Sequence, residues 1–295
     1  MNADQRRSMA GLLGVVLMVL ATGAFAATPV PGGKWSWVWK DAKGNAGWPM
    51  RVYTYRPQAC DSSCPIVIVL HGASRKASDY RDYWELPADR YKFLVIAPEF
   101  SEEHWPKSEG YNLGGVGKEP DKEKWVFATI EHLFDEMRVD QAGYVLFGHS
   151  AGAQVAHRMA LLRPDNRASV IVAANAGWYT MPEFRKEKAK DPFPYSLVNS
   201  PSGEAELRKA LARRMIVMAG EKDIDPNADK LSKTEGAMKE GANRLDRAES
   251  FFKAATASSN DLGVKLAWDL VEVPGVAHDG KSMSKAAADT LFKKK

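Results

Sequence analysis

Only two cysteines occur in the 295 residues, Cys60 and Cys64 in "QACDSSC". Their CxxxC spacing lacks the two-residue gap of thiol-redox motifs, and no second pair stands elsewhere to complete a metal site. Long apolar runs are missing too: beyond the first segment nothing approaches the roughly 20 residues that a membrane-spanning helix needs. Charge of one sign is not in excess, with 41 Lys and Arg against 37 Asp and Glu. The basic residues alternate with acids, as in "PEFRKEKAKD" and "MKEGANRLDR", and only the last three lysines form a run. That pattern is a solvated surface, not a groove that tracks phosphates, so no nucleic-acid partner is expected. Internal repeats, low-complexity tracts and a second hydrophobic core are absent as well.

The chain starts with Arg6 and Arg7, a short apolar run and then Ala24-Phe25-Ala26, the pattern of a secretory leader cut after Ala26. The rival reading is an uncleaved anchor; with cleavage, no stable membrane insertion is expected. Export to a periplasm or the medium would place Cys60 and Cys64 in an oxidising compartment, where a disulfide closing their short loop contributes about 2 kcal/mol. Residues 27–295 then read as one domain.

"KWSWVWK" and "PMRVYTYRP" both alternate at period two around a "KGNAG" turn, which predicts an antiparallel hairpin with its tryptophans packed as strand residues. Thereafter apolar strands alternate with helical stretches. Strands are predicted in "PIVIVLHGAS", "KFLVIAPEF", "GYVLFGHS", "ASVIVAANAG", "RRMIVMAGEKD" and "KLAWDLVEVPG". Helices are predicted in "SDYRDYWELPADRY", opened by a Ser or Asp cap, and in "DKEKWVFATIEHLFDEMR", with Trp125, Ile130, Leu133 and Met137 on one face. Two more follow, in "AGAQVAHRMALLRP" and "NRLDRAESFFKAATASS". Continuous apolar strands with intervening helices indicate an α/β fold: a mostly parallel sheet covered on both faces, with its active site beyond the carboxyl ends of the strands. Residues from about 177 to 203, aromatic and proline-rich, form a long interruption that reads as a lid or pocket wall.

"GHSAG" places Ser150 between a strand and a helix. A turn this tight strains the backbone at Ser150 and leaves no room for side chains at positions 148 and 152. A serine at neutral pH needs a base. In an elbow of this kind the chain order is nucleophile, acid, histidine. His71, His104, His132 and His149 precede Ser150, and His157 lies in the helix just after it, which leaves His278. The acid should end "RRMIVMAG"; Asp223 and Asp225 both qualify, and Asp223 fits the usual turn length better. The alternation of Asp223, Asp225, Asn227 and Asp229 also resembles a calcium loop, but Ala228 and Thr234 stand where glycine and a bidentate glutamate belong, so no metal is expected. Two amides would complete an oxyanion hole: Ala151, directly after the serine, and Ala73, in the turn of "LHGAS".

Together "HGAS", "GHSAG", "GEKD" and "GVAHD" resemble the α/β-hydrolase family over the stretch from about Pro65 to His278. More narrowly, "HGAS…DYRDYW", "APEF", "GYNLGG", "AANAGWYTMP" and "VPGVAHD" are similar to secreted proteins of the poly(3-hydroxybutyrate) depolymerase-like or esterase-like group. The resemblance implies hydrolysis of a small or polymeric carboxylic ester, without a cofactor; polymer activity does not follow from it. A lipase-type "HGGG" is missing, and no Ser/Thr-rich linker to a substrate-binding module stands in the chain. Tyr111, Asn112, Trp178 and Tyr179 are expected pocket residues, with Phe193 and Tyr195 as weaker candidates. A peptidase of the same fold and a non-catalytic binding protein are the competing readings.

Overall fold

The computed structural model describes residues 30–61, 63–137, 141–184 and 191–293. The leader predicted at residues 1–26 lies outside the described residues. Strands β1 (Gly33–Trp39) and β2 (Met50–Arg56) pair antiparallel, with Trp35 opposite Thr54 and Trp37 opposite Val52. Trp35 and Trp37, two residues apart on one face of the strand, stack at 4.8 Å, and Trp37 packs on the core. Among the described residues six further strands follow: β3 (Ile66–Leu70), β4 (Leu94–Pro98), β5 (Tyr144–His149), β6 (Ala168–Ala174), β7 (Met215–Gly220) and β8 (Trp268–Val273). They join the hairpin in one sheet of order β1-β2-β4-β3-β5-β6-β7-β8, parallel from β4 to β8. Every residue of β3, β4, β5 and β7 is buried, as their unbroken apolar sequences require of strands covered on both faces.

Among the described residues the helices are α1 (Ala77–Tyr83), α2 (Glu85–Tyr91), α3 (Lys107–Gly110), α4 (Val126–Met137), α5 (Ala151–Leu162), α6 (Glu204–Ala212), α7 (Glu235–Glu240), α8 (Arg244–Leu262) and α9 (Gly280–Phe292). Alternation within β3 assigns the two layers. Ile66, Ile68 and Leu70 share a cluster with residues of α4, α5, α6 and α8. Val67 and Val69 share another with Tyr80 of α1, Ala88 of α2 and Met283 of α9. No described helix is long and apolar enough to cross a membrane.

Three sequence expectations are corrected. The helix expected over "SDYRDYWELPADRY" is two helices, and Lys76 precedes the first without any side-chain cap. Pro87 lacks an amide hydrogen and its ring would meet the carbonyl of Tyr83, so the first helix stops there. Trp125 is buried but precedes α4, at the end of a short 3-10 turn (Lys122–Lys124) with extended backbone. Finally, α3, α6, α7 and α9 form where the sequence pattern predicts no helix. Between β6 and α6 the described residues carry no named strand or helix, only a bridge between Met181 and Ser196.

The β1–β2 loop is tied to α4 by a buried charged group. Asp41 accepts from the amides of Lys43 and Gly44 at 3.2 and 3.1 Å and lies 2.8 Å from Nδ1 of His132. Nε2 of His132 is 3.0 Å from Glu123. Burial opposes charge on His132, but the hydrogen bonds and charges of Asp41 and Glu123 outweigh it and raise its pKa. The stabilisation is therefore fully present below the ordinary histidine value of about 6.5 and is lost as pH rises through the raised folded value. A His132→Gln variant should be less stable than the parent by on the order of 2 kcal/mol near pH 6, with the gap narrowing in alkali. Denaturant midpoints of the two proteins across that pH range test this; a constant gap would contradict it.

Candidate active site

The carboxyl ends of β3, β5, β7 and β8 converge on one rim. Ser150, between β5 and α5, has φ 57° and ψ −114°. This left-handed φ costs a non-glycine residue on the order of 1–3 kcal/mol. The next strand and the following helix hold it: the Ser150 amide donates to the Ala174 carbonyl of β6 at 2.9 Å, and its own carbonyl accepts from the Gln154 amide of α5 at 3.2 Å. Glycines flank it for steric reasons. A Cβ on Gly148 would collide with the Gly152 carbonyl, and one on Gly152 with the Leu70 carbonyl of β3.

Nε2 of His278 lies 3.1 Å from Oγ of Ser150, and Nδ1 lies 2.7 Å from Oδ2 of Asp223. Three side chains from three loops thus form one hydrogen-bonded line. Asp223 is 3% exposed at its side chain and His278 29%, so the carboxylate is sheltered while the imidazole stays within reach of a ligand. Two residues that the sequence reading missed brace the line. Arg244, the first residue of α8, donates to the other Asp223 oxygen at 3.3 Å and to the Asp229 carbonyl at 3.2 Å. Asn175, at φ 51° beyond β6, accepts from the Gly220 amide at 2.8 Å and donates to the Ala277 carbonyl at 3.0 Å, tying the ends of β6 and β7 to the loop of His278. Asn after a strand and before "AG" is a readable left-handed signal; nothing in "GANRLDR" marks Arg244.

The turn after β3 lies against the serine, since a Cβ on Gly72 would be 3.6 Å from Cβ of Ser150. Ala73 in that turn and Ala151 both line the cleft beside Ser150. As the first residue of α5, Ala151 has an amide with no intrahelical acceptor. His71 fixes the turn: Nδ1 donates to the Gly72 carbonyl at 2.9 Å and Nε2 accepts from the Phe100 amide at 3.0 Å. Burial depresses its pKa to about 3, so both bonds persist at working pH.

Two solved structures share this architecture along nearly the whole chain. Poly(aspartic acid) hydrolase-1 from Sphingomonas sp. KT-1 is 35% identical, with a TM-score of 0.82 over 90% of this chain and 100% of its own. LpqC, a poly(3-hydroxybutyrate) depolymerase from Bordetella parapertussis, is 34% identical, with a TM-score of 0.82 over 89% of this chain and 91% of its own. The chain belongs to the α/β-hydrolase family, in its poly(3-hydroxybutyrate) depolymerase-like group. An S-formylglutathione hydrolase from Agrobacterium tumefaciens, 17% identical with a TM-score of 0.55 over 90% of this chain and 96% of its own, shares the fold. No family model matches the chain, and no curated protein does.

Around Ser150 this α/β hydrolase opens a cleft of about 540 Å³. Asn112 lines it, whereas Tyr111, Trp178 and Tyr179 do not. Tyr111 is fully buried, its hydroxyl donating to the His71 carbonyl at 2.8 Å and its ring in a cluster with those of His71 at 4.7 Å and Phe100 at 5.3 Å. Tyr179 is equally buried, stacked on Phe251 at 4.4 Å. Trp178 is 9% exposed, held between Tyr195 and the Arg158 guanidinium. Phe193 packs against the core, and the Tyr195 hydroxyl bonds Thr234 at 2.9 Å. Asp225 is exposed and accepts from the Asn227 amide at 2.8 Å, so the structure brings Asp223, not Asp225, to His278. Cys60 and Cys64 are joined in a disulfide.

Proposed function

We propose that this α/β hydrolase cleaves carboxylic esters through an acyl-enzyme on Ser150. The observation that carries the reading is the continuous contact from Ser150 through His278 to buried Asp223. His278 takes the serine proton as Oγ attacks the ester carbonyl, while Asp223 holds the imidazole tautomer and stabilises the imidazolium. The amides of Ala73 and Ala151, with the positive end of α5 behind them, receive the oxyanion. His278 then protonates the leaving alcohol. Water, deprotonated by the same imidazole, releases the acid. No step calls on a metal or an organic cofactor. The leader pattern and the Cys60–Cys64 disulfide support an exported enzyme, in a periplasm or the medium.

The cleft wall is mostly polar, with Lys76, Asp79, Asn112, Gln154, Asp229 and Lys230 around the serine. Such a surface desolvates poorly against a long alkyl chain. Nitrophenyl acetate and butyrate should accordingly turn over faster than the palmitate by more than an order of magnitude in kcat/KM; the reverse ranking would remove the short, polar acyl assignment. A second reading, amide cleavage, is favoured by the poly(aspartic acid) hydrolase relative, whose named polymer is joined by amide bonds. Matched esters and anilides of one acyl group separate the two, and ester hydrolysis should be the faster by more than an order of magnitude.

A further inference from the structure

The elbow contains a second histidine that the proposed chemistry leaves unused. His149, 3% exposed, immediately precedes Ser150 and lines the cleft. Its ring centroid lies 4.8 Å from that of His278, with the planes 35° apart. Nδ1 is 2.7 Å from the Tyr80 hydroxyl. Tyr80, at 7% exposure, is itself wedged: a Cβ on Gly72 or Gly280 would come within 2.9 or 3.1 Å of that hydroxyl. The phenol therefore sits between the turn after β3 and the start of α9, aimed at the ring nitrogen of His149.

We propose that Tyr80 and His149 act as a positioning pair for His278: the Tyr80 hydroxyl occupies Nδ1 of His149 and fixes an uncharged imidazole against the base. His278 is then the sole cation formed at that spot during turnover. This rests on His278 being the general base. His149 exchanges no proton in the cycle; the serine proton goes to His278 and on to the leaving alcohol. A charge on His149 would oppose protonation of a ring 4.8 Å away by on the order of a few hundredfold, at an effective dielectric constant of about 20. The groups that act on His149 favour neutrality: burial first, then His278 from the loop after β8 and Arg244 from α8, lower its pKa well below the ordinary value. Burial first, then Tyr83, Asp279 and Asp79, raise that of Tyr80 and keep the proton on its oxygen, against the opposing hydrogen bond from Gly72.

The test is the pH profile of kcat/KM for an ester, measured on the full protein and on Tyr80→Phe, His149→Asn and the double variant. Tyr80→Phe frees Nδ1 to take a proton, so its acid limb should move to higher pH. His149→Asn and the double variant carry no such group and should both keep the parental limb, whatever their absolute rates. A Tyr80→Phe rate lowered by one factor at every pH, or a double variant that retains the displaced limb, overturns the pair. Imidazole ¹⁵N spectra of the parent protein give a reading without mutation: His149 should stay neutral and unprotonated at Nδ1 between about pH 5 and 8. A ring titrating in that range overturns the proposal. A parent protein that neither hydrolyses esters nor reacts with a fluorophosphonate overturns the hydrolase reading and this one with it. A reactive parent with an unshifted Tyr80→Phe profile overturns the pair alone.

Discussion

Replacement of Ser150 by alanine should lower kcat for ester hydrolysis by on the order of 10⁵ to 10⁶ and leave KM within a few-fold. The size follows from the way the three side chains work as a unit. Without Oγ there is no covalent acceptor for the acyl group, and His278, left in place, has only water to activate. The melting temperature should barely change, because alanine carries the same backbone strain as serine at φ 57°. Glycine relieves that strain. Ser150→Gly should be as inactive as the alanine variant yet more stable by about 1 kcal/mol, which denaturant titration resolves. Higher stability with lost activity is the mark of a backbone held in a costly conformation for the sake of one hydroxyl. Equal activity in parent and alanine variant would remove Ser150 from the chemistry.

Asp223→Asn should lower kcat by about 10⁴, since an amide no longer fixes the His278 tautomer or stabilises the imidazolium. Asp223→Ala should add a folding defect of about 3–5 kcal/mol, because Arg244 is then a buried cation without its carboxylate. Both side chains of this pair are 3% exposed, so solvent does little to screen the loss. Asp225→Asn, altering only an exposed carboxylate that caps Asn227, should keep kcat within about twofold of the parent. Steady-state kinetics on the three variants, with unfolding curves for each, decide the assignment. A loss of activity confined to Asp225→Asn would reverse it.

The sequence made some of this site legible and hid the rest for identifiable reasons. "GHSAG" and "HGAS" carry their meaning locally, because a tight strand-to-helix turn constrains which residues fit within a few positions. Chain order left only His278 as base, and the length of one turn favoured Asp223 over its neighbour. The parallel strands were equally plain, since burial on both faces writes an unbroken apolar run. Burial behind a wall is different. Tyr111 and Tyr179 stand within two positions of the cleft residues Asn112 and Gly177, and a linear pattern does not tell a ring facing solvent from one turned into the core. Arg244 and Asn175 act across distances in the chain that only the folded sheet closes, 21 residues from Arg244 to Asp223 and 102 from Asn175 to Ala277. Local chemistry also cut an apparent helix in two, where Pro87 outweighed an otherwise helical stretch.

The most direct test of the catalytic line is to treat the purified protein with a fluorophosphonate, digest it, and locate the added mass. A single adduct on the peptide that holds Ser150 is the expected result, formed in the parent and lost when His278 is replaced by alanine. Ester hydrolysis that persists with Ser150 unmodified, or an adduct on another residue, would contradict the assignment.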